Sequence, residues 1–229
     1  DHRDLHSFPT RRSSDLTPYY EGDVVIPEQV SYNGQDYEVT AIGSWAFINC
    51  TSLISINIPK SVTKIGELAF WICPKLAEIN VAFDNPNYAS IDGVLYDKSI
   101  KTLIKCPGTK TSVIILNSVI LIELSALQYC PELAEINVAY DNPEYASIDG
   151  VLYDKNITTL IRCPEKKTSV DISKSTTSIV DGAFAHSVLK NIIIPNSVTS
   201  IGDGAFAYCA ELTSITIPNS VISIGDGAF

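Results

Sequence analysis

The sequence predicts a solenoid of the α/β repeat kind, with a parallel β-sheet on one face, short helical or irregular segments on the other, and two inserted β-hairpins. Three observations predict it. A 23-residue unit recurs along the chain, a 57-residue period overlies it, and the units carry apolar residues at the alternating spacing of a short strand. One such unit cannot bury its own apolar face, so the units stack and each packs only on its neighbours.

The clearest unit runs from Val39-Thr40-Ala41-Ile42-Gly43 through Ala46-Phe47, Cys50, Leu53, Ile56 and Ile58-Pro59 to Ser61. The next starts at Val62 and places Ile65-Gly66, Ala69-Phe70, Cys73, Leu76, Ile79 and Val81 at the same offsets. A further copy at Val198 repeats them as Ile201-Gly202, Ala205-Phe206, Cys209, Leu212, Ile215 and Ile217-Pro218. The copy at Val119 keeps Cys130, Leu133, Ile136 and Val138 but has Glu123 and Leu127 at the Gly and Phe positions. The copy at Thr176 is one residue short and has Ser187 at the Cys position, and the copy at Val221 runs to Phe229.

Within a unit, Leu53-x-x-Ile56-x-Ile58 puts alternate side chains on one face of a short strand, with Ser55 and Asn57 on the other. Pro59 has no N–H for a ladder and ends the strand. Ile65, Ala69 and Phe70, at spacings of four and five, suit a short helical turn facing the same interior, with Gly66 allowing a tight bend.

The longer period relates Val62–Ser118 to Val119–Ser175, whose last 46 residues agree at 35 positions. Each copy carries an insertion, about 84–107 and 141–164, in which β-rich runs flank Asp97-Lys98-Ser99 and Asp154-Lys155-Asn156. A polar break between short apolar runs reads as a hairpin. The domain organisation expected is therefore residues 17–38 as N-terminal lead-in and capping strands and 39–229 as the repeat domain.

Residues 1–16, DHRDLHSFPTRRSSDL, share no pattern with the rest and resemble the translation of a sequencing-library adapter, whose end reads Arg12-Ser13-Ser14-Asp15-Leu16. They are expected to be foreign to the natural protein and are set aside from fold reasoning. With no methionine in 229 residues and a last unit that stops in mid-repeat, the chain is expected to be a fragment. Setting the segment aside removes three Arg and three Asp, so the formal charge stays at −10.

That charge has the wrong sign for a protein whose affinity comes from neutralising phosphates, so nucleic acid is not an expected partner. No apolar run approaches the roughly 18 residues of a membrane span, so no membrane insertion by this segment is expected.

The pattern V-T-x-I-G-x-x-A-F-x-x-C-x-x-L-x-x-I-x-I-P-x-S resembles the leucine-rich repeat of the BspA-like family. The inserted N-P-x-Y-x-S-I-D-G-V-L-Y-D-K resembles a segment common in that family, and Asp23–Pro27 through Tyr32-Asn33-Gly34 resembles its usual N-terminal strand and turn. The resemblance covers about 19–229. It implies a leucine-rich-repeat solenoid and a protein at the cell surface or secreted, bacterial as in gut and oral species though the family also occurs in some mucosal protists, associated with adhesion to host proteins or to other cells.

Six cysteines in a chain of that kind invite a disulfide framework. Their positions favour another account. Cys50, Cys73, Cys130 and Cys209 share one repeat offset and Cys106 and Cys163 another, as small buried rung residues would. There is no C-x-x-C pair and only one histidine, His186, outside the first 16 residues, so a zinc site has little support.

Catalytic residues and cofactors are not expected. His186 lies beside Ser187, but adjacency in sequence is no triad. Asp84/Asp92 and Asp141/Asp149 recur with Asn85 and Asn142, which reads as turn chemistry around Pro86, Gly93, Pro143 and Gly150 rather than as a calcium loop. The Asp-Gly steps at 181–182, 203–204 and 226–227 read as turns entering the Ala-Phe segments.

A binding surface remains. On this register the solvent-pointing strand residues are Ser55, Asn57, Glu78, Asn80, Glu135, Asn137, Asn191, Ile193, Ser214 and Thr216. The insertions are a second candidate, because Tyr88, Tyr96, Tyr145 and Tyr153 recur there with Lys98, Lys105, Lys155 and Arg162, and their duplication suggests bivalent presentation. The expected function is a non-catalytic recognition or adhesion module binding protein or glycan on a host or neighbouring cell surface. The alternatives are an intracellular interaction scaffold or the repeat part of a larger enzyme.

Overall fold

The computed structural model describes residues 20–229 and, before them, only the backbone of Ser7–Phe8. The segment expected to be foreign and the start of the expected lead-in otherwise lie outside the described residues. The chain divides into two compact units, one running to Thr109 and including Leu121–Tyr129, the other made of Lys110–Ile120 and Cys130–Phe229. Each is a stack of β-coils.

In the first unit the long strand of each coil pairs in parallel with the next: Glu21–Val25 with Ser52–Ile58, and Ser52–Ile58 with Glu78–Val81. Partners fall in register as Ser55↔Glu78, Ile56↔Ile79, Asn57↔Asn80 and Ile58↔Val81, which is the 23-residue offset of the sequence. A second, two-residue ladder joins Ala41–Ile42 to Lys64–Ile65. Between the two ladders lies a core of Ile42, Phe47, Leu53, Ile56, Phe70, Leu76 and Ile79, with the Phe47 and Phe70 rings stacked 5.6 Å apart. The second unit repeats the plan, with Ser112–Ile115 on Glu135–Val138, Asn191–Ile193 on Ser214–Thr216, and Ser178–Ile179, Ser200–Ile201 and Ser223–Ile224 in a row.

The short helical segments expected after each Ile-Gly are absent: no helix occurs among the described residues. The reason lies in the backbone. Trp45, Asn49, Leu68, Ile72, His186 and Tyr208 have φ between 53° and 63°, in the left-handed region that interrupts a right-handed helix within each turn. Amides instead alternate. Those of Ala46, Ile48 and Cys50 donate three residues back within the coil, while those of Trp45, Phe47 and Asn49 donate to the carbonyls of Glu67, Ala69 and Trp71 in the next coil. Stacked turns thus form the wall opposite the long strands. The Asp-Gly steps read as turns belong to this wall, since Gly182, Gly204 and Gly227 occupy the left-handed position taken by Trp45 and Leu68.

Gly66 does not serve by conformational freedom. It is needed because the preceding coil passes too close: a Cβ there would lie 2.7 Å from Gly43 C and Ser44 Cα.

Each insertion is a three-stranded antiparallel meander rather than a single hairpin. Tyr88–Ile91 pairs with Val94–Asp97, which pairs with Thr102–Lys105, and the second copy repeats this with Tyr145–Ile148, Val151–Asp154 and Thr159–Arg162. The first bend is the two-residue Asp92-Gly93 turn, with φ of 49° and 73°, as a hairpin turn compatible with strand twist requires. The third strand then rejoins the coil through the ladders Thr102–Lys105 to Leu121–Ile122 and Thr159–Arg162 to Ser178–Ile179.

Candidate recognition surface

In-register pairing turns single residues into rows. In the first unit Asp23, Ser55 and Glu78 form one row and Val25, Asn57 and Asn80 another. In the second, Glu135 lies beside Ser112, Asn137 beside Ile114, Ser214 beside Asn191 and Thr216 beside Ile193. Glu78, Glu135, Asn191, Ser214 and Thr216 are exposed, and Asn57, Asn80 and Asn137 half-buried. Ser55 is a correction: it is buried and its hydroxyl donates to Asp23 Oδ1 at 2.7 Å, so it holds a neighbouring strand instead of meeting a ligand. The rows also carry exposed Val25 and Ile114, apolar side chains that hydropathy alone assigns to a core.

The tyrosines of the insertions are the larger correction. Tyr96 is 2% and Tyr153 0% exposed, so neither is available to a partner. Val94-Leu95-Tyr96 and Val151-Leu152-Tyr153 are central strands buried along their whole length, and burial pushes the Tyr96 hydroxyl up to about 12. Tyr88 is half-buried, its hydroxyl accepting the Ile65 amide at 2.9 Å.

The recurring cations are engaged as well. Lys105 is buried and donates to the Gln128 carbonyl at 2.8 Å. Lys98 and Lys155 donate to the carbonyls of Phe83 and Asn142. Arg162 is buried against Glu165, Nη2 to Oε1 at 2.8 Å, with Nη1 donating to the Gly182 carbonyl at 2.5 Å.

What the insertions do present is Phe83 and Tyr140, both fully exposed and 57 residues apart, at the bend before Asp84-Asn85-Pro86 and Asp141-Asn142-Pro143. The Lys98 ammonium sits 5.8 Å from the Phe83 ring centroid. The signal was in the sequence: the same offset holds Lys60, Asn196 and Asn219 in coils without an insertion.

Turn chemistry explains the recurring Asn. Asn85 is fully buried, its Nδ2 donating to the carbonyls of Pro59 and Val62 at 2.8 Å each and its Oδ1 accepting the amides of Asn87 and Tyr88 at 2.9 Å. Asn142 makes the same four bonds to Leu116, Val119, Glu144 and Tyr145. These side chains clamp the insertion to the coil before it. Among the described residues no three His, Cys, Asp or Glu are grouped to hold a metal ion.

His186 is half-buried and stacks on the exposed Tyr208 ring with centroids 4.9 Å apart. Burial lowers its affinity for a proton, the nearby Glu165 opposing and Arg162 reinforcing that effect. The cysteines are six free thiols at ladder positions, five of them buried. Cys73 and Cys209 donate to the carbonyls of Phe47 and Phe184 in the preceding coils, at 3.1 and 3.0 Å. Burial pushes the Cys73 and Cys163 thiols up to about 12, far from the nucleophilic range.

Among solved structures, the chain is similar to the pneumococcal vaccine antigen PcpA, with a TM-score of 0.59 at 17% identity over 92% of this chain and 69% of that one. A leucine-rich cell surface protein of Faecalibacterium prausnitzii gives 0.52 at 22% identity, covering 92% and 73%. A leucine-rich repeat protein of Eubacterium ventriosum gives 0.57 at 27% identity, covering 81% of this chain and 53% of that one. No protein with a curated description matches. The model of the BspA type leucine-rich repeat region matches residues 29–142 and 162–229 in six copies. With most of its coils so matched, the chain belongs to the BspA-type leucine-rich-repeat family.

Proposed function

We propose that the chain is a non-catalytic recognition module, displayed on a bacterial surface or secreted, that binds protein or glycan on a host or neighbouring cell. The observation that carries this reading is the in-register rows of the coils, half-buried Asn57 and Asn80 beside exposed Val25 in one unit and exposed Asn191 and Ser214 beside Ile193 and Thr216 in the other. A repeated array of this kind offers a partner many similar weak contacts on a rigid face, which is how solenoids commonly bind. Phe83 and Tyr140 add exposed aromatic area, the component in which the rows are poor.

The names of the structural relatives support a surface location: one is described as a cell surface protein, another as a vaccine antigen. The buried state of Tyr96, Tyr153 and five of the thiols, and the structural engagement of Arg162 and Lys105, leave the solvent-facing chemistry to amides, hydroxyls, carboxylates and lysine ammonium groups. That chemistry suits recognition rather than bond-making.

The test is binding of the purified chain to an array of extracellular-matrix proteins and mucin-type glycans. Asn57→Ala/Asn80→Ala and Phe83→Ala/Tyr140→Ala variants with unchanged melting temperature are run beside it. At least tenfold weaker binding by either variant is expected for any partner found. Full retention of binding by both would sink the reading.

A further inference from the structure

The second unit contains a break in its ladder that the repeat does not predict. Residues 169–172, Ser-Val-Asp-Ile, are the 57-residue counterpart of Ser112–Ile115, which pairs along its whole length with Glu135–Val138. By the same register 169–172 should pair with 191–194. It does not: Ser169–Ile172 forms no strand and makes no backbone hydrogen bond among the described residues. Asn191–Ile193 pairs only on its other side, with Ser214–Thr216.

The fault coincides with the coil that is one residue short. There the Val188 amide donates to the Glu165 carbonyl and the Leu189 amide to the Ser187 hydroxyl, so the chain reaches the strand by a different path. A cleft of about 1170 Å³ opens between the two segments, lined by Thr168–Ile172 and Lys174 on one side and Val188 and Lys190–Ser197 on the other.

The cleft has the chemistry of a missing strand. One wall is a strand paired on its far side only and the other makes no backbone hydrogen bond, which leaves donors and acceptors that an extended chain satisfies and a compact ligand does not. Ile172, Ile192 and Ile194 line it but are almost fully covered in the core, so the apolar surface it offers is that of half-buried Val170 and Val188 and of exposed Ile193. A four-residue strand, at about 3.3 Å per residue, a spacing of about 4.8 Å and a sheet thickness of about 10 Å, needs roughly 600 Å³. That volume includes the side chains, and the cleft is large enough to hold it. Two exposed lysines, Lys174 and Lys190, stand on the lining, against the single carboxylate of Asp171. Neither lysine is in an ion pair among the described residues, whereas Lys166 and Lys167 pair with Glu132 and Asp149.

We propose that this cleft takes one extended peptide segment of alternating apolar and acidic residues as an inserted strand, paired to the backbone of 169–172 and 191–193 with its carboxylates toward Lys174 and Lys190. This rests on reading the chain as a binding module and gives that module a peptide ligand.

The probe is Val-Glu-Val-Glu-Val-Glu-amide carrying 5-carboxyfluorescein as an amide on its N-terminal nitrogen, titrated with the full chain by fluorescence polarisation. Saturable binding below 1 mM is expected, at least tenfold weakened when Lys replaces Glu in the peptide. Methylation of alternate peptide amides, which removes donors and keeps side chains, is expected to weaken it at least tenfold as well. Lys174→Glu/Lys190→Glu should reverse the preference between the two peptides. Val170→Pro, which removes a free amide and no native hydrogen bond, should weaken binding while leaving the melting temperature within a few degrees.

No saturable binding, or equal binding of the N-methylated peptide, overturns the proposal. If peptide binding survives while the matrix array is blank, the cleft stands and the exposed-row reading fails; the reverse result separates them the other way.

Discussion

Replacing Asn142 by alanine removes a side chain that satisfies two carbonyls and two amides at once. The bonds to Leu116 O, Val119 O, Glu144 N and Tyr145 N span 2.7 to 2.9 Å at a fully buried site, so water does not replace them without opening the clamp. Each neutral hydrogen bond contributes about 1 kcal/mol net, and a buried group left unpaired costs more. The four share one side chain and one local relaxation, so their loss is expected to cost about 3 kcal/mol rather than a full sum of separate deletions. Urea unfolding followed by circular dichroism reads the total. Hydrogen exchange at the Glu144 and Tyr145 amides reads the site directly, which matters because repeat arrays unfold in parts. Asn85→Ala, in the other copy, should cost a similar amount, since the four bonds recur there. A cost below 1 kcal/mol with unchanged exchange at those amides would refute the clamp.

Four further outcomes are expected. Gly202→Ala should destabilise by about 1–3 kcal/mol in a thermal melt, because its Cβ would fall on Asp181 Oδ1 and 2.5 Å from the Asp181 amide, a backbone atom that cannot step aside. Arg162→Ala should cost about 3–5 kcal/mol by leaving Glu165 buried without its partner, whereas Arg162→Met with Glu165→Leu should recover most of that in the same denaturation assay. In native protein at pH 8, Cys73 and Cys163 should resist iodoacetamide for hours while half-buried Cys209 reacts first, and mass spectrometry of the denatured chain should show six alkylated thiols. Burial, reinforced by Glu67, raises the Glu123 carboxyl above 4.5, so the folded state holds that proton more tightly than the unfolded chain. Its contribution is therefore full below that value and is lost as pH rises through the folded one; Glu123→Gln should flatten the fall in melting temperature just above pH 4.5.

The coil, its period and most of the facing of its strand were legible because they depend on apolar spacing alone: Ile56 and Ile58 are buried where alternation puts them, while Leu53, on the wrong parity for that face, is buried because a bulge at exposed Ile54 resets the alternation. The turn wall was not legible. Gly182, Gly204 and Gly227 mark its left-handed position plainly, but Trp45 and Leu68 occupy the same position and read as ordinary helix formers. What forces them into that conformation is the amide traffic to the next coil, which no local propensity contains.

The tyrosines of the insertions were misplaced for a related reason. Val94-Leu95-Tyr96 is a continuous apolar run, the mark of a strand covered on both faces, yet recurrence with basic residues drew the reading toward a surface. Phe83 and Tyr140 were passed over because a single aromatic breaks no pattern until it is set against the Lys and Asn of the other coils.

The alternating amides of the turn wall have a consequence for self-association. In that wall the turn amides that donate to carbonyls of another coil do so one way, from Trp45, Phe47 and Asn49 toward the coil that follows, and from Gly182, Phe184 and His186 likewise, with the Cys73 and Cys209 thiols donating back. A stack built so has a donor end and an acceptor end. Two copies meeting through these turns can match only head to tail; a two-fold contact would set donors against donors. Contact between two copies through these turns, as distinct from their strands, is therefore heterologous, and heterologous contacts that do not close into a ring propagate as filaments.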